Sequence, residues 1–187
     1  MTINSETLLK LFQLIIVVTL LFSVEHVFGV EDAEVSCVEN ERAALLNLKQ
    51  QLLDDYNRLS SWGTEEYQKD CCRWKGVGCD DQTGHVIILD LHGPSDSFKP
   101  LRGYISPLFE LKQLEYLDLS YNDFSGTILS NISSLTRLHF LNLSRAGFGD
   151  DAIQDHLGNL SKLRTLDLSD NSFFMLKILS GSLVFVY

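Results

Sequence analysis

Three segments of this chain share one leucine spacing: Leu114-Glu-Tyr-Leu117-Asp-Leu119-Ser-Tyr-Asn122, Leu138-His-Phe-Leu141-Asn-Leu143-Ser144, and Leu163-Arg-Thr-Leu166-Asp-Leu168-Ser-Asp-Asn171. The steps between them are 24 and 25 residues, and a weaker copy, Val86-Ile-Ile-Leu89-Asp-Leu91, lies 28 residues before Leu114. Within each copy the Leu-x-Leu alternation is that of a strand, with both leucines inward and the residue between them, Asp118 in the first full copy, at the surface. One such unit cannot bury its own apolar side, so neighbouring units must stack.

A fixed period in the twenties built on Leu-x-x-Leu-x-Leu predicts an α/β fold, a leucine-rich-repeat solenoid with short parallel strands. Asn122 and Asn171 close their strands at the same offset, where a buried amide satisfies backbone groups at the turn. Ala146 takes that place in the middle copy, a missing rung that should loosen its turn locally. Phe124-x-Gly126-x-Ile128, then Ile132, Leu135 and Leu138, carry the chain around the convex side, and Leu101, Gly103, Ile105, Leu108, Leu111 and Leu114 nearly repeat that spacing. An amphipathic helical protein also suits leucines three and four apart, but the Leu-x-Leu core and the glycine breakers fit the solenoid better.

At the N-terminus, Lys10 precedes an apolar run, Leu11 to Val24, broken by Gln13, Thr19 and Ser23. Its length suits a secretory signal and falls short of the roughly 20 residues of a membrane span. Residues 1–29 are therefore read as a signal peptide cleaved after Val27-Phe28-Gly29, so that the mature chain starts near Val30 and has no membrane span; an uncleaved membrane anchor is the alternative reading. Export makes the four cysteines, Cys37, Cys71, Cys72 and Cys79, disulfide partners. Zinc is disfavoured: there is no Cys-x-x-Cys, and adjacent Cys71 and Cys72 fit one tetrahedral ion poorly. Of the three pairings, the one joining Cys71 to Cys72 is strained, and two remain. Between the cysteines, Asn40 to Leu53 has helical period, with Asn40 placed to cap it and Leu45, Leu48 and Leu52 as the buried stripe. That helix, with Trp62 and Trp74, forms residues 30–82 into a cap for the open apolar end of the first coil. Residues 83–173 hold about 3.5 coils, and 174–187 form a divergent apolar tail.

The run Cys37 to Leu91 contains Glu41-Arg-Ala-Ala-Leu-Leu, Leu59-Ser-Ser-Trp, Asp70-Cys-Cys-Arg-Trp-Lys-Gly-Val-Gly-Cys79 and Thr83-Gly-His-Val-Ile-Ile-Leu-Asp-Leu. It resembles the N-terminal cap of plant extracellular leucine-rich-repeat proteins, the receptor-like proteins and receptor kinases of immunity and development and the secreted polygalacturonase-inhibiting proteins. The resemblance covers Cys37 to about Phe173. It implies that Cys37 pairs with Cys71 and Cys72 with Cys79, and that the strands line a concave face for an extracellular protein, peptide or glycan ligand, with a co-receptor as a further partner. It implies a recognition module in plant defence at the cell surface or secreted, without catalysis. The alternative is a secreted inhibitor of a cell-wall-degrading hydrolase such as polygalacturonase, which would be expected to hold a full set of coils and a closing C-terminal cap. Full receptors of the family carry many more coils and a membrane span. Here Met175 and Lys177 replace the glycine and isoleucine of the next coil, so the resemblance also implies a shortened chain.

Removing residues 1–29 changes the net charge from −10 to −9, which disfavours nucleic acid. No phosphate loop, His-Glu-x-x-His or Gly-x-Ser-x-Gly occurs, the histidines are scattered, and Asp150-Asp151 reads as a solvated turn; no enzyme, metal or cofactor is expected. By register, Asp90, Asp118, Asn142 and Asp167 form one outward column, with Ile88, Tyr116, Phe140 and Thr165 beside it and Tyr121, Arg145 and Asp170 just beyond. Candidate ligand-binding residues are Tyr116, Asp118, Tyr121, Phe140, Arg145, Thr165 and Asp167. So few coils offer less than the ~800 Å² per partner of a standard interface. Asn131-Ile-Ser, Asn142-Leu-Ser and Asn159-Leu-Ser are glycosylation sequons; Asn131 and Asn159 fall on convex connections and Asn142 on the concave face. The last strand, Leu166 to Leu168, lacks a neighbour unless the tail supplies one, and a bare apolar edge invites self-association or fraying.

Overall fold

The computed structural model describes residues 6, 9–10, 12–19, 35–125, 129–149 and 156–173, and the backbone of 184–185. The chain divides into two units, Met1–Glu34 and Val35–Tyr187. In the first, residues 12–19 are helical. Among the described residues no helix is long and apolar enough to cross a membrane. The expected cleavage site near Val30, Gly126, Ile128, the Asp150-Asp151 pair and tail residues 174–183 lie outside the described residues.

The second unit is organised by a six-stranded sheet. β2 (Val77–Cys79) runs antiparallel to β3 (Val86–Asp90), and from there β3, β5 (Tyr116–Asp118), β6 (Phe140–Asn142), β7 (Thr165–Asp167) and β8 (Val184–Phe185) are all parallel. Each parallel step pairs equivalent residues of successive copies: Leu89 with Leu117, Leu117 with Leu141, Leu141 with Leu166. These leucines are at most 1% exposed, so the inward column of the repeat is the spine of the core. Burying each stabilises the stack by about 1.5–3 kcal/mol relative to solvent. A second spine follows the turn, where Phe124 and Phe148 lie 5.8 Å apart and Phe148 and Phe173 6.4 Å apart. Short 3-10 helices, Ser106–Glu110 and Ser130–Ser134, bring Leu108, Phe109 and Ile132 back into the core on the convex side.

The tail supplies the partner that β7 needed: Val184 and Phe185 pair with Thr165 and Leu166, moving the outermost edge of the described sheet to β8. A two-stranded ribbon that the leucine period does not announce joins β1 (Leu52–Leu53) antiparallel to β4 (Arg102–Gly103), tying the cap to the first coil.

In the cap, the helix Glu39–Gln51 buries Leu45 and Leu48 completely. Leu52 is buried too, but as the first residue of β1 and not within the helix. Asn40 does not cap it. Val38 holds the N-cap place, its carbonyl accepting from Glu41 and Arg42 N–H at 3.0 Å each, while Asn40 lies in the first turn. Glu41 explains the shift: only 5% exposed, its Oε2 accepts the Val86 N–H at 2.7 Å and its Oε1 meets His85 Nδ1 at 2.9 Å. A buried carboxylate is stable only with such partners, and here it joins the helix to the head of β3. Trp62 and Trp74 stack at 5.4 Å, and their indole N–H groups donate to Lys75 and Gln68 carbonyls. Disulfides join Cys37 to Cys71 and Cys72 to Cys79.

Candidate functional site

The asparagine offset shows how each strand end is sealed. Asn122, 2% exposed, donates from Nδ2 to the carbonyls of Leu119, Ser120 and, one coil back, Leu91, while its Oδ1 accepts from Leu101 N–H at 2.8 Å. Asn171 repeats this, donating to Leu168, Ser169 and Leu143 carbonyls and accepting from the N–H groups of Ala146 and Phe148. The middle turn therefore closes without an asparagine of its own: Asn171 reaches back to it, and Ala146 is fully buried.

The first coil has Pro94 at this offset, which has no amide to offer. Arg58 of the cap takes over. Its Nη2 donates to the Leu91 and His92 carbonyls at 2.6 and 2.7 Å, the two places an asparagine would reach, and its Nη1 donates to Asn122 Oδ1 at 2.6 Å and the Lys99 carbonyl at 3.2 Å. Asp54 holds the Arg58 loop by accepting from Arg58 and Leu59 N–H. Burial lowers the guanidinium pKa, and the nearby carboxylates of Asp54 and Asp90 act against that shift.

The register brings the candidate ligand residues together in columns, and the columns behave differently. Asp118 is not at the surface as its outward position implied; it is 7% exposed, and its Oδ1 accepts from the N–H and hydroxyl of Ser120 while its Oδ2 accepts from Asn142 Nδ2 at 3.0 Å. Asn142 holds Ser144, and Asp167 holds Ser169, through the same pair of hydrogen bonds. These side chains end their own strands, as short polar groups that bond their own backbone do. Asp90 does so with a variation, since the serine offset carries His92, whose Nδ1 lies 2.5 Å from Asp90 Oδ1.

The neighbouring column is open. Ile88, Tyr116, Phe140 and Thr165 sit in register, Ile88 is 40% exposed, and the rings of Tyr116 and Phe140 stack at 4.3 Å and 5°. Burial, then Asp118 and Asp90, raise the Tyr116 pKa, so the phenol stays a neutral donor and acceptor. On the other flank Tyr121, Arg145 and Asp170 occupy one repeat offset, all with φ between 50° and 55°. Left-handed backbone at three residues with side chains is a strain that the coil imposes and that recurs at binding surfaces. It aims the three side chains into a ladder: Arg145 lies 5.4 Å from the Tyr121 ring centre and its Nε donates to Asp170 Oδ2 at 2.6 Å.

Residues 38–80 match the family model described as leucine rich repeat N-terminal domain, and residues 113–135 and 162–184 match that of the leucine rich repeat. The BIR2 ectodomain from Arabidopsis thaliana superposes with a TM-score of 0.62 at 32% identity, over 71% of this chain and 68% of that one. The chain belongs to the plant extracellular leucine-rich-repeat receptor family. Among its receptor-like relatives, EIX1 of Solanum lycopersicum is 44% identical over 176 residues, or 89% of this chain and 17% of EIX1. The structure of PEPR1-AtPEP1 superposes with a TM-score of 0.58 at 27% identity, over 73% of this chain and 22% of that one. The chain thus spans about a sixth of its receptor-like relative EIX1. Like the ectodomains it resembles, this receptor-family chain is extracellular.

Sequons of this receptor-family chain differ in what their amides already do. Asn131 and Asn159 are exposed, whereas the Asn142 Nδ2 is held by Asp118 on the strand face. Glycopeptide mass spectrometry of secreted protein is expected to find glycans on Asn131 and Asn159 and a bare Asn142; occupancy at Asn142 would show that the Asp118 contact forms only after modification or not at all.

Proposed function

We propose that the chain is a non-catalytic recognition module of a receptor-like protein in plant defence, and that it contacts an extracellular peptide or protein through the stripe of Ile88, Tyr116 and Phe140. The observation that carries this reading is the stacked Tyr116–Phe140 pair, part-exposed on the concave sheet where the neighbouring polar column is taken up by the backbone. Rigid aromatic area at low conformational cost is what binding hot spots use. Tyr121 and Arg145 flank it with a cation–π pair that can present donors to the same ligand. Kinship with receptor-like proteins and receptor ectodomains supports a peptide or protein ligand over a nucleic acid, as does the net charge of −10. Inhibition of a cell-wall hydrolase is the second reading and predicts stoichiometric inhibition by the purified chain.

The test is affinity capture from extracellular plant fluid on the wild-type chain and on Tyr116→Ala/Phe140→Ala. Loss of both rings is expected to weaken a captured ligand by 2–4 kcal/mol, roughly 30- to 1000-fold. Thr165 lies in the same column with a small side chain, so Thr165→Ala is expected to change affinity by no more than about 1 kcal/mol. Equal capture by the double variant would place the contact elsewhere on the coils.

A further inference from the structure

Between the cap and the first coil lies a cavity of about 600 Å³ whose lining includes Tyr56, Asn57, Arg58, Lys75, Asp90 and Lys99. That volume is in the range of small-ligand sites. Its charge runs against the rest of the molecule. The chain has 25 acidic and 15 basic residues, yet three cations line this cavity against one carboxylate, Asp90, which meets His92 Nδ1. Several cations elsewhere are committed to acids: Arg42 to Glu39, Lys69 to Glu66, Arg102 to Asp55 and Asp123, Arg137 to Glu115, Arg145 to Asp170. Among the described residues, the Lys75 and Lys99 ammonium groups have no hydrogen-bond or ion-pair partner, and both are exposed. Arg58 adds to the field but not to the contacts, because its Nη groups already serve Leu91, His92, Lys99 and Asn122. Like charges gathered in a cleft concentrate anions there.

The uncharged part of the lining narrows the anion. Tyr56 is 46% exposed, and Asn57 and Ser60 beside it are exposed amide and hydroxyl groups suited to several hydroxyls at once. An aromatic face with a polar rim takes the apolar side of a flat ring. We propose that this cavity binds an acidic saccharide, with carboxylates on Lys75 and Lys99 and a sugar ring on Tyr56. An adjoining cavity of about 440 Å³ is lined by Asp90, Asp96 and Asp118 and repels an anion that extends toward the concave sheet, so the ligand lies on the cap side.

The site is separate from the Tyr116–Phe140 stripe, and its test is direct titration of the secreted full chain with tri-galacturonate, a neutral trisaccharide of the same length and tri-glutamate, followed by calorimetry. Tri-galacturonate is expected to bind, more weakly as salt rises, and the neutral sugar not to bind. Lys75→Gln/Lys99→Gln, which removes no hydrogen bond of the fold, is expected to weaken binding about tenfold or more, the equivalent of losing two modest charge contacts per ligand. Tyr56→Ala is expected to weaken the uronide and leave any tri-glutamate binding unchanged, while Tyr116→Ala/Phe140→Ala leaves the uronide unaffected. No uronide binding, equal binding of the neutral sugar, an unaltered lysine variant, or tri-glutamate bound as tightly as the uronide and equally sensitive to Tyr56 would each overturn the proposal.

Discussion

Arg58→Met is expected to destabilise the chain by about 2–4 kcal/mol, read as a drop in the denaturant midpoint at unchanged slope. The variant keeps a similar apolar stem but strips four donors from Leu91, His92, Lys99 and Asn122 in one step. Leu91 keeps a donor in Asn122 Nδ2, and Asn122 Oδ1 keeps the Leu101 N–H, which is why the expected loss stays below the sum of four bonds. Arg58→Lys is not a rescue, since one ammonium cannot span carbonyls on two coils and a side-chain amide. Combining Arg58→Met with Asn122→Ala should give a coupling of about 1–2 kcal/mol, because the two side chains share one bond and one carbonyl. A loss under about 0.5 kcal/mol, the size of an ordinary surface change, would mean that Pro94 leaves no vacancy to fill.

The disulfides should differ in their weight. Cys37→Ser/Cys71→Ser opens a link between residues 34 apart, and the chain-entropy model puts its worth near 4 kcal/mol, against about 2.5 kcal/mol for Cys72→Ser/Cys79→Ser, 7 apart. The longer link also fixes the segment where Cys37 N–H and Cys72 N–H share Asp70 Oδ1 and where Val38 N–H donates to the Gly84 carbonyl. Its loss is therefore expected to release the start of the cap helix and the Glu41 anchor on Val86, visible as hydrogen exchange at Val86 N–H well before that at Leu117. Equal losses for the two variants, or protection of Val86 unchanged, would show that packing of Trp62 and Trp74 alone holds the cap.

The leucine frame was readable because it is doubly periodic: alternation within Tyr116–Asp118 fixes which residues point inward, and the 24- and 25-residue steps fix which residues meet on neighbouring coils. Asn122 and Asn171 were readable for the same reason. Arg58 was not. It belongs to no repeat, and its partners lie 33 and 64 residues away, so only the absence of an asparagine at Pro94 hinted that something else must close the first coil. Nor does sequence register separate Asp118 from Tyr116, since both are offered outward; what divides them is a turn that lets Ser120 fold back on the carboxylate. Asn40 has the chemistry of a helix cap but yields the place to Val38 because the buried Glu41 must reach β3. The β1–β4 ribbon joins only two residues from each side, too short for any alternation to show.

Because the strand-ending aspartates and asparagine are tied to their own turns, a partner that lies along the sheet meets two positions per coil: the one held by Ile88, Tyr116, Phe140 and Thr165, and the left-handed one held by Tyr121, Arg145 and Asp170. The first can change without touching a backbone hydrogen bond. The second already tolerates an aromatic, a cation and an acid on the same unfavourable φ, so the coil, not the side chain, supplies the energy that holds it. Selectivity in such a stack can be rewritten as a short two-letter string, read coil by coil, while the leucines, the asparagines and Arg58 remain as they are.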